Sequence, residues 1–137
     1  MQSQIEVIEG NQIVVVTWPK VVEHPRQEII DVHAELRKVF VSNGWERGVI
    51  IHDITHLDID FGSLVQILGE LSSKDAAWLS ERAVVRHVGP GKLTEITVGA
   101  NRQDQYSGGA RNASAHTTLN DAIEEAKTLL AEPVSAS

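Results

Sequence analysis

The sequence contains no cysteine, only four prolines, and few aromatic residues: three tryptophans, two phenylalanines and one tyrosine. Without cysteine the chain has no disulfide, thiolate zinc site or cysteine nucleophile. It has no hydrophobic run close to the roughly 20 residues that a membrane-spanning helix needs. The first ten residues lack the basic and apolar regions of a signal peptide. We therefore expect a cytoplasmic protein without integral membrane association.

Basic residues are also scarce, since 12 lysines and arginines face 19 aspartates and glutamates, for a formal net charge of −7. This charge repels phosphate backbones and anionic lipid surfaces, so nucleic-acid binding is disfavoured. The length of 137 residues and the 42% hydrophobic content suit one globular domain. A chain of this size can bury a sufficient core without metal or disulfide. We assign residues 1–131 to this domain and residues 132–137 to a flexible C-terminal tail.

Hydrophobic patterning changes period along the first half of the chain. Two β-branched segments at residues 5–8 and 13–18, separated by a turn, indicate a hairpin. Apolar residues spaced by three and four from Pro25 predict a helix that ends at Asn43-Gly44. The short apolar run at residues 49–51 predicts a buried parallel strand, after which the sequence turns polar.

The second half continues the alternation of helices and strands. The predicted segments are a helix over residues 61–71 that continues or restarts near Asp75, a strand at 83–88, a turn at 89–91, a short helix at 93–100, a loop at 103–112, a short strand at 113–117 and a final helix. Asp60 is the predicted N-cap of the second helix. Thr118 and Asp121 approximate a capping box before the last one. This order predicts a single-domain α/β fold: a mixed sheet of about five strands with helices packed against it.

A resemblance to the STAS domain, the fold of bacterial anti-sigma-factor antagonists, lies in residues 49–69, which read VIIHDITHLDIDFGSLVQILG. In that family a hydrophobic strand ends in an aspartate, a short loop follows, and an Asp-Ser-Ser-Gly-Leu-type segment opens the next helix. The element order over residues 5–131 is similar too, above all to the branch grouped with CRAL-TRIO lipid-transfer domains. The resemblance implies a non-catalytic regulatory module without a cofactor, whose partner is another protein or a second copy of the chain.

The resemblance also implies a binding surface and a phosphorylation site at the start of the second helix, where a phosphate would lie beside exposed backbone N–H groups. Aligning Asp60 with the family's aspartate places Gly62 on the phosphoacceptor serine. A shift of one residue makes Ser63 the candidate phosphoacceptor. The residues expected to bind a partner are Asp53, Asp58, Asp60, Phe61, Gly62 and Ser63.

Polar residues at the end of the strand allow a second interpretation. His52, Asp53, His56, Asp58 and Asp60 follow a parallel strand at the edge where α/β sheets place ligand sites. They could ligate a divalent metal or act as an acid–base pair, which gives the alternative of a metal-assisted enzyme using His52, Asp53 and His56. The competing interpretation is a solvated loop whose aspartates accept backbone N–H bonds and whose histidines titrate freely. We favour the loop, with neither catalytic residues nor metal ligands, because no motif fixes a ligand geometry.

A third alternative is the binding of a small apolar or lipid-like ligand, as the CRAL-TRIO grouping suggests. Such a ligand needs a cavity, whereas a chain this short uses most of its apolar side chains in the core. Among the tryptophans, Trp45 is expected to pack between the end of the first helix and the sheet. Trp78 is expected either in the core or as an exposed anchor for a partner.

Overall fold

The computed structural model describes residues 1–60, 62–63, 74–89, 114–116 and 118–131. Its elements along the chain are β1 (Gln4–Ile8), β2 (Ile13–Thr17), α1 (Pro25–Asn43), β3 (Gly48–Asp53), α2 (Lys74–Ser80), β4 (Ala83–Val88), β5 (Ser114–His116) and α3 (Leu119–Ala131). Several predictions concern segments outside the described residues: most of the helix at 61–71, the turn beyond residue 89, the short helix at 93–100, the loop at 103–112 and the tail at 132–137.

The five strands form one mixed sheet in the order β1-β2-β3-β4-β5. The hairpin pairs β1 and β2 antiparallel, and every later pairing is parallel. Strands β2 and β3 are buried on both faces, which explains why their sequences are continuous apolar runs rather than alternating ones. The predicted α/β domain with about five strands and helices packed on the sheet is confirmed.

Side chains alternate across the sheet and build two separate cores. Val14 and Val16 of β2 face a core shared with α1 and α2, while Ile13 and Val15 face the core beneath α3. The α1 side chains in the first core are Ile29, Val32, Leu36 and Phe40. Helix α3 contributes two alanines, Ala122 and Ala126, to the second core. The sheet is therefore the middle of three layers.

The ends of α1 follow local rules. Pro25 stands in the first turn, where its missing N–H costs nothing. At the other end Gly44 adopts a left-handed φ of 66°, Gly44 N–H donates to Val41 O, and Trp45 N–H donates to Phe40 O. These bonds form a Schellman motif, and the Trp45 ring packs edge-on against Phe40 at 5.3 Å. The predicted helix stop and the predicted packing of Trp45 are both confirmed.

The last helix begins as predicted, because Asp121 N–H donates to Thr118 Oγ1 across 3.2 Å. Of the two reciprocal hydrogen bonds of a capping box, this is the one present among the described residues. None of the helices placed there combines the length and the apolar character that crossing a bilayer requires.

Candidate functional site at the carboxyl edge of the sheet

The chain leaves β3 at the carboxyl edge of the parallel strands through residues 53–60, here named the acidic segment. Backbone hydrogen bonds hold it to the strands on both sides. Trp18 N–H donates to Asp53 O at 3.1 Å, and Ile54 N–H donates to Val88 O at 2.9 Å. Further along, Asp58 N–H donates to Lys20 O at 2.7 Å. The acidic segment is therefore fixed along its length by its neighbours.

Within the acidic segment apolar and polar side chains point in different directions. Ile54 is buried, and Leu57 and Ile59 are partly buried against the core beneath α1. The exposed residues are Thr55, His56, Asp58 and Asp60. The apolar residues thus anchor the segment while it presents polar groups, two of them acidic, to solvent.

Two aspartates of the acidic segment stabilise its backbone. Asp53 Oδ1 accepts hydrogen bonds from the N–H and the hydroxyl of Thr55, at 3.1 and 2.6 Å. Asp60 Oδ1 accepts one from Ser63 N–H at 2.7 Å, which is the geometry of an N-cap before the helical residues Gly62 and Ser63. Ser63 N–H lowers the pKa of Asp60, and the Ser63 hydroxyl and Gly62 N–H lower it further. The predictions that both aspartates accept backbone N–H bonds and that Asp60 caps a helix are confirmed.

The remaining predicted binding residues lie around this cap, except Phe61, which lies outside the described residues. Asp58 and Gly62 are exposed, and Ser63 is partly buried. Among the described residues, a Cβ atom built on Gly62 meets only Asp60 Oδ1, at an ordinary contact distance of 3.5 Å. At the position that the resemblance aligns with the family's serine, this described contact leaves room for a Cβ atom. Ser63 has its hydroxyl hydrogen-bonded to Asp60.

His52 belongs to the sheet rather than to the loop. It is buried, and its Nδ1 accepts a 3.1 Å hydrogen bond from Trp18 Nε1–H. The next residue, Asp53, points to the opposite face because successive strand residues alternate, and His56 is exposed. In residues 1–60, 62–63, 74–89 and 118–131 no group of three or more metal-binding side chains is arranged to hold an ion. The structure thus does not assemble His52, Asp53 and His56 as a ligand set.

The expectation that these histidines titrate freely is wrong for His52. Burial lowers its pKa well below the ordinary value, and the charges of His87 and His33 lower it further. The physical reason is that β3 extends two residues beyond the predicted apolar run, since Val16 pairs with His52 and Thr17 pairs with Asp53 across β2. His52 is carried into the core by this pairing.

Three histidines, His33 on α1, His52 on β3 and His87 on β4, form what we name the histidine cluster. The strand register places His52 directly opposite His87, and their rings stack at 5.3 Å with an interplanar angle of 19°. Burial lowers the pKa of His33 and of His87 to about 4, although Asp75 acts on His33 in the opposite direction. Sequence reasoning missed this cluster. The sequence offers one signal, since His52 directly follows the apolar run at residues 49–51 and His87 lies inside the predicted strand at 83–88.

Two open grooves lie at the opposite, amino edge of the sheet. One of about 630 Å³ is lined by Phe40, Trp45, Trp78 and Arg82, among others. The other, of about 780 Å³, runs from the β1–β2 turn past Trp45 to the end of α3. Neither encloses an apolar chamber of the kind that a lipid-like ligand would fill. Trp78 is partly buried: its ring packs edge-on against Phe40 and lines the first groove beneath the Arg82 guanidinium.

Comparison of the sequence with the profiles of known protein families and with curated proteins finds no match. The fold and the site alone describe the class of protein. It is a three-layer α/β domain in which an acidic surface segment follows the carboxyl end of the central parallel strands.

Proposed function

We propose that this chain is a non-catalytic, STAS-like regulatory module of the cytoplasm that binds a protein partner through the acidic segment and the helix start at residues 62–63. One observation supports the proposal: Ile54, Leu57 and Ile59 anchor a segment that exposes Thr55, His56, Asp58 and Asp60 to solvent. A surface held in its binding conformation loses little conformational entropy when a partner docks. Such a segment is suited to recognition.

The charge of the segment indicates the chemistry of the partner. Asp58 and Asp60 are exposed, and the cap bond from Ser63 N–H lowers the pKa of Asp60, so its carboxylate stays ionised at neutral pH. The whole chain carries a net charge of −7. A basic protein surface is therefore the complementary partner, and its binding weakens with salt because charges are screened within about 8 Å at physiological ionic strength.

Site-specific photo-crosslinking in the native host tests the proposal and identifies the partner. A photoreactive amino acid replaces Thr55 in one variant and Glu9, at the opposite edge of the sheet, in a matched control. We expect a specific crosslinked partner from position 55 and not from position 9. A product of twice the chain's mass would identify a second copy of the chain as the partner. Equal labelling from both positions would contradict the proposal.

Binding of the captured partner then measures the contribution of charge. Asp58→Asn removes one exposed carboxylate of the segment, and Glu9→Gln makes the same change of charge at the other edge. We expect Asp58→Asn to weaken binding about two- to fivefold, the size typical of one exposed ionic contact, and Glu9→Gln to leave it unchanged. Equal affinities of the two variants would remove the acidic segment from the interface.

Phosphorylation of Ser63 is the regulatory event in this proposal. A phosphate adds nearly two negative charges. It would also replace the hydroxyl hydrogen that Ser63 now directs at Asp60. Repulsion from Asp60 would then weaken the cap and change the binding surface. Mass spectrometry of the chain isolated from its host tests this, with Ser63→Ala as the negative control and Gly62→Ser as a variant that carries the family's serine. Absence of phosphate from the wild type, with partner binding intact, would leave constitutive binding as the function.

A further inference from the structure

The histidine cluster lies on the face of the sheet that α1 covers, at its carboxyl end. His33, His52 and His87 are only 7%, 8% and 4% exposed. Three groups that ionise near neutral pH are thus held in one core, beneath the segment on which the proposed function depends.

Hydrogen bonding in the cluster suits neutral imidazoles. Trp18 Nε1–H donates to His52 Nδ1, so this nitrogen carries no proton and the neutral ring has its hydrogen on Nε2. A proton added to Nδ1 of His52 would face the Trp18 Nε1–H, and two donors cannot form a hydrogen bond with each other. The Nδ1 atoms of His33 and His87 are buried and have no hydrogen-bond partner among the described residues. A proton on any of the three rings would therefore be poorly accommodated.

Charged neighbours offer little compensation. The described charged groups on the elements packed around the cluster belong to the β2 end, α1, the β3 end, α2 and the residues before β4: Lys20, Arg26, Glu28, Asp31, Glu35, Arg37, Lys38, Asp53, Lys74, Asp75, Glu81 and Arg82. Of these only Asp75 acts on the cluster, through His33, and it is already paired with Arg37 at 3.1 Å. Arg86, beside His87 in β4, lies on the other face and pairs with Glu125. The charge of one protonated histidine would oppose protonation of the next.

The cluster is connected directly to the acidic segment. His52 immediately precedes Asp53, whose carbonyl accepts Trp18 N–H, and the same tryptophan bonds to His52 through its side chain. His87 immediately precedes Val88, whose carbonyl accepts Ile54 N–H. Each strand histidine is therefore one residue away from a hydrogen bond that holds the segment in place.

We propose that protonation of the histidine cluster at mildly acidic pH weakens the packing of α1 on the carboxyl edge of the sheet and thereby loosens the acidic segment. This inference rests on the proposed function, because it names a regulation of the same surface: the partner binds at neutral pH and is released in acid. The opposite half of the same core, around Leu36 and Phe40, contains no buried histidine in the described part of the chain. The loosening is therefore local, and the amino edge keeps its structure.

Hydrogen exchange of single backbone amides, measured by NMR and corrected for intrinsic exchange, tests the inference without any partner. At about pH 5, compared with about pH 7, we expect protection of the Trp18 and Ile54 amides to fall roughly tenfold or more. Protection of Val49 N–H, which donates to Gln12 O at the amino edge, should fall less, because only the loss of global stability affects it. Unchanged protection at Trp18 and Ile54, or an equal loss at Val49, would overturn the proposal.

Two variants assign the effect to the cluster. His87→Phe keeps an aromatic ring in the stack but cannot be protonated, so protection of Ile54 should depend less steeply on pH than in the wild type. His56→Gln removes an exposed histidine of the segment itself and should behave like the wild type. The reverse pattern would contradict the proposal. If His87→Phe does not fold, the pKa values of the wild-type imidazoles are measured by NMR titration instead. Ordinary pKa values for the three histidines of the cluster would contradict the proposal. These measurements need no partner. A negative hydrogen-exchange result would therefore contradict the pH regulation without affecting the crosslinking test of the proposed function, and a negative crosslinking result would contradict the proposed function without affecting the hydrogen-exchange test.

Discussion

Trp18 donates the hydrogen of its indole nitrogen to Nδ1 of His52 across 3.1 Å, although 34 positions separate the two residues in the chain. Trp18 directly follows β2 and His52 lies near the end of β3, so the bond joins the carboxyl ends of two adjacent parallel strands. It satisfies one polar atom of each buried side chain, and it keeps His52 neutral. The carboxyl edge therefore carries a specific polar contact in the core beneath α1.

Replacing Trp18 by phenylalanine should destabilise the chain by about 1–3 kcal/mol, because it leaves His52 Nδ1 buried without a donor. Urea unfolding at neutral pH measures the loss. The double variant Trp18→Phe, His52→Phe removes both members of the pair and should recover part of it, since no unpaired polar atom then remains. A double variant less stable than the sum of the two single changes would show that the hydrogen bond is not the source of the effect.

The free energy of unfolding should fall as the pH drops from about 6.5 to about 4. In the folded chain the pKa of His33 and of His87 is about 4, against 6.5 for the free side chain. The unfolded chain therefore takes up protons first, so the stabilisation is fully present above pH 6.5 and is lost as the pH approaches 4. Since one pKa unit corresponds to about 1.4 kcal/mol, each histidine accounts for about 3 kcal/mol at most.

Urea unfolding at several pH values checks this dependence, with His87→Phe as the variant that should flatten the curve and His24→Gln as an exposed control. The part of the curve above about pH 5.5 reports mainly on the histidines, because the carboxylates of an unfolded chain titrate around pH 4. A stability that stays constant between pH 7 and pH 5 would contradict the prediction.

Gly48 should not tolerate even alanine. A Cβ atom at this position would lie 2.9 Å from Cζ of Phe40, which is fully buried, and 3.2 Å from the carbonyl oxygen of Gln12. We expect Gly48→Ala to cost about 1–3 kcal/mol, as overpacking of a core does, measured as a lower urea midpoint. Gly62→Ala is the matched control, because among the described residues its Cβ would meet only Asp60 Oδ1, at 3.5 Å. Similar midpoints for the two variants would contradict this account.

Glu28 fixes the beginning of the chain to α1. Its carboxylate accepts Gln2 N–H at 2.9 Å and Ser3 N–H at 2.7 Å, and these bonds lower its pKa although burial acts to raise it. Glu28→Ala should cost about 1–3 kcal/mol and should speed the hydrogen exchange of the Ser3 amide. Glu23→Ala, an exposed change shortly before the same helix, should do neither. Normal protection of Ser3 in Glu28→Ala would show that the carboxylate does not hold this segment.

The sequence predicted every described element because each one follows a local rule. The β-branched run at 83–88 forms a strand with those bounds, and Asn43-Gly44 ends α1 through a left-handed glycine. The sequence also predicted the part of the site that depends on short-range contacts, since Asp60 accepts the N–H of Ser63, only three residues later.

The histidine cluster could not be predicted in this way. Its members come from α1, β3 and β4, and they meet only because the strand register sets His52 opposite His87. Local polarity suggested that the strand ends before His52, but pairing with β2 extends it through Asp53. Burial of that ring is a property of the assembled sheet, and no local pattern encodes it.

In the acidic segment the side chains that stabilise the fold differ from the side chains that a partner would contact. Ile54, Leu57 and Ile59 face the core, whereas His56 and Asp58 face solvent. Within the described part of the chain, the side chains of His56 and Asp58 are exposed and form no hydrogen bond, so replacing them leaves the core and the backbone bonds of the segment unchanged. A library randomised at these two positions should therefore keep its thermal stability while its members differ in the proteins they capture. Evolution had the same freedom, and a domain of this kind can acquire a new partner without rebuilding its interior.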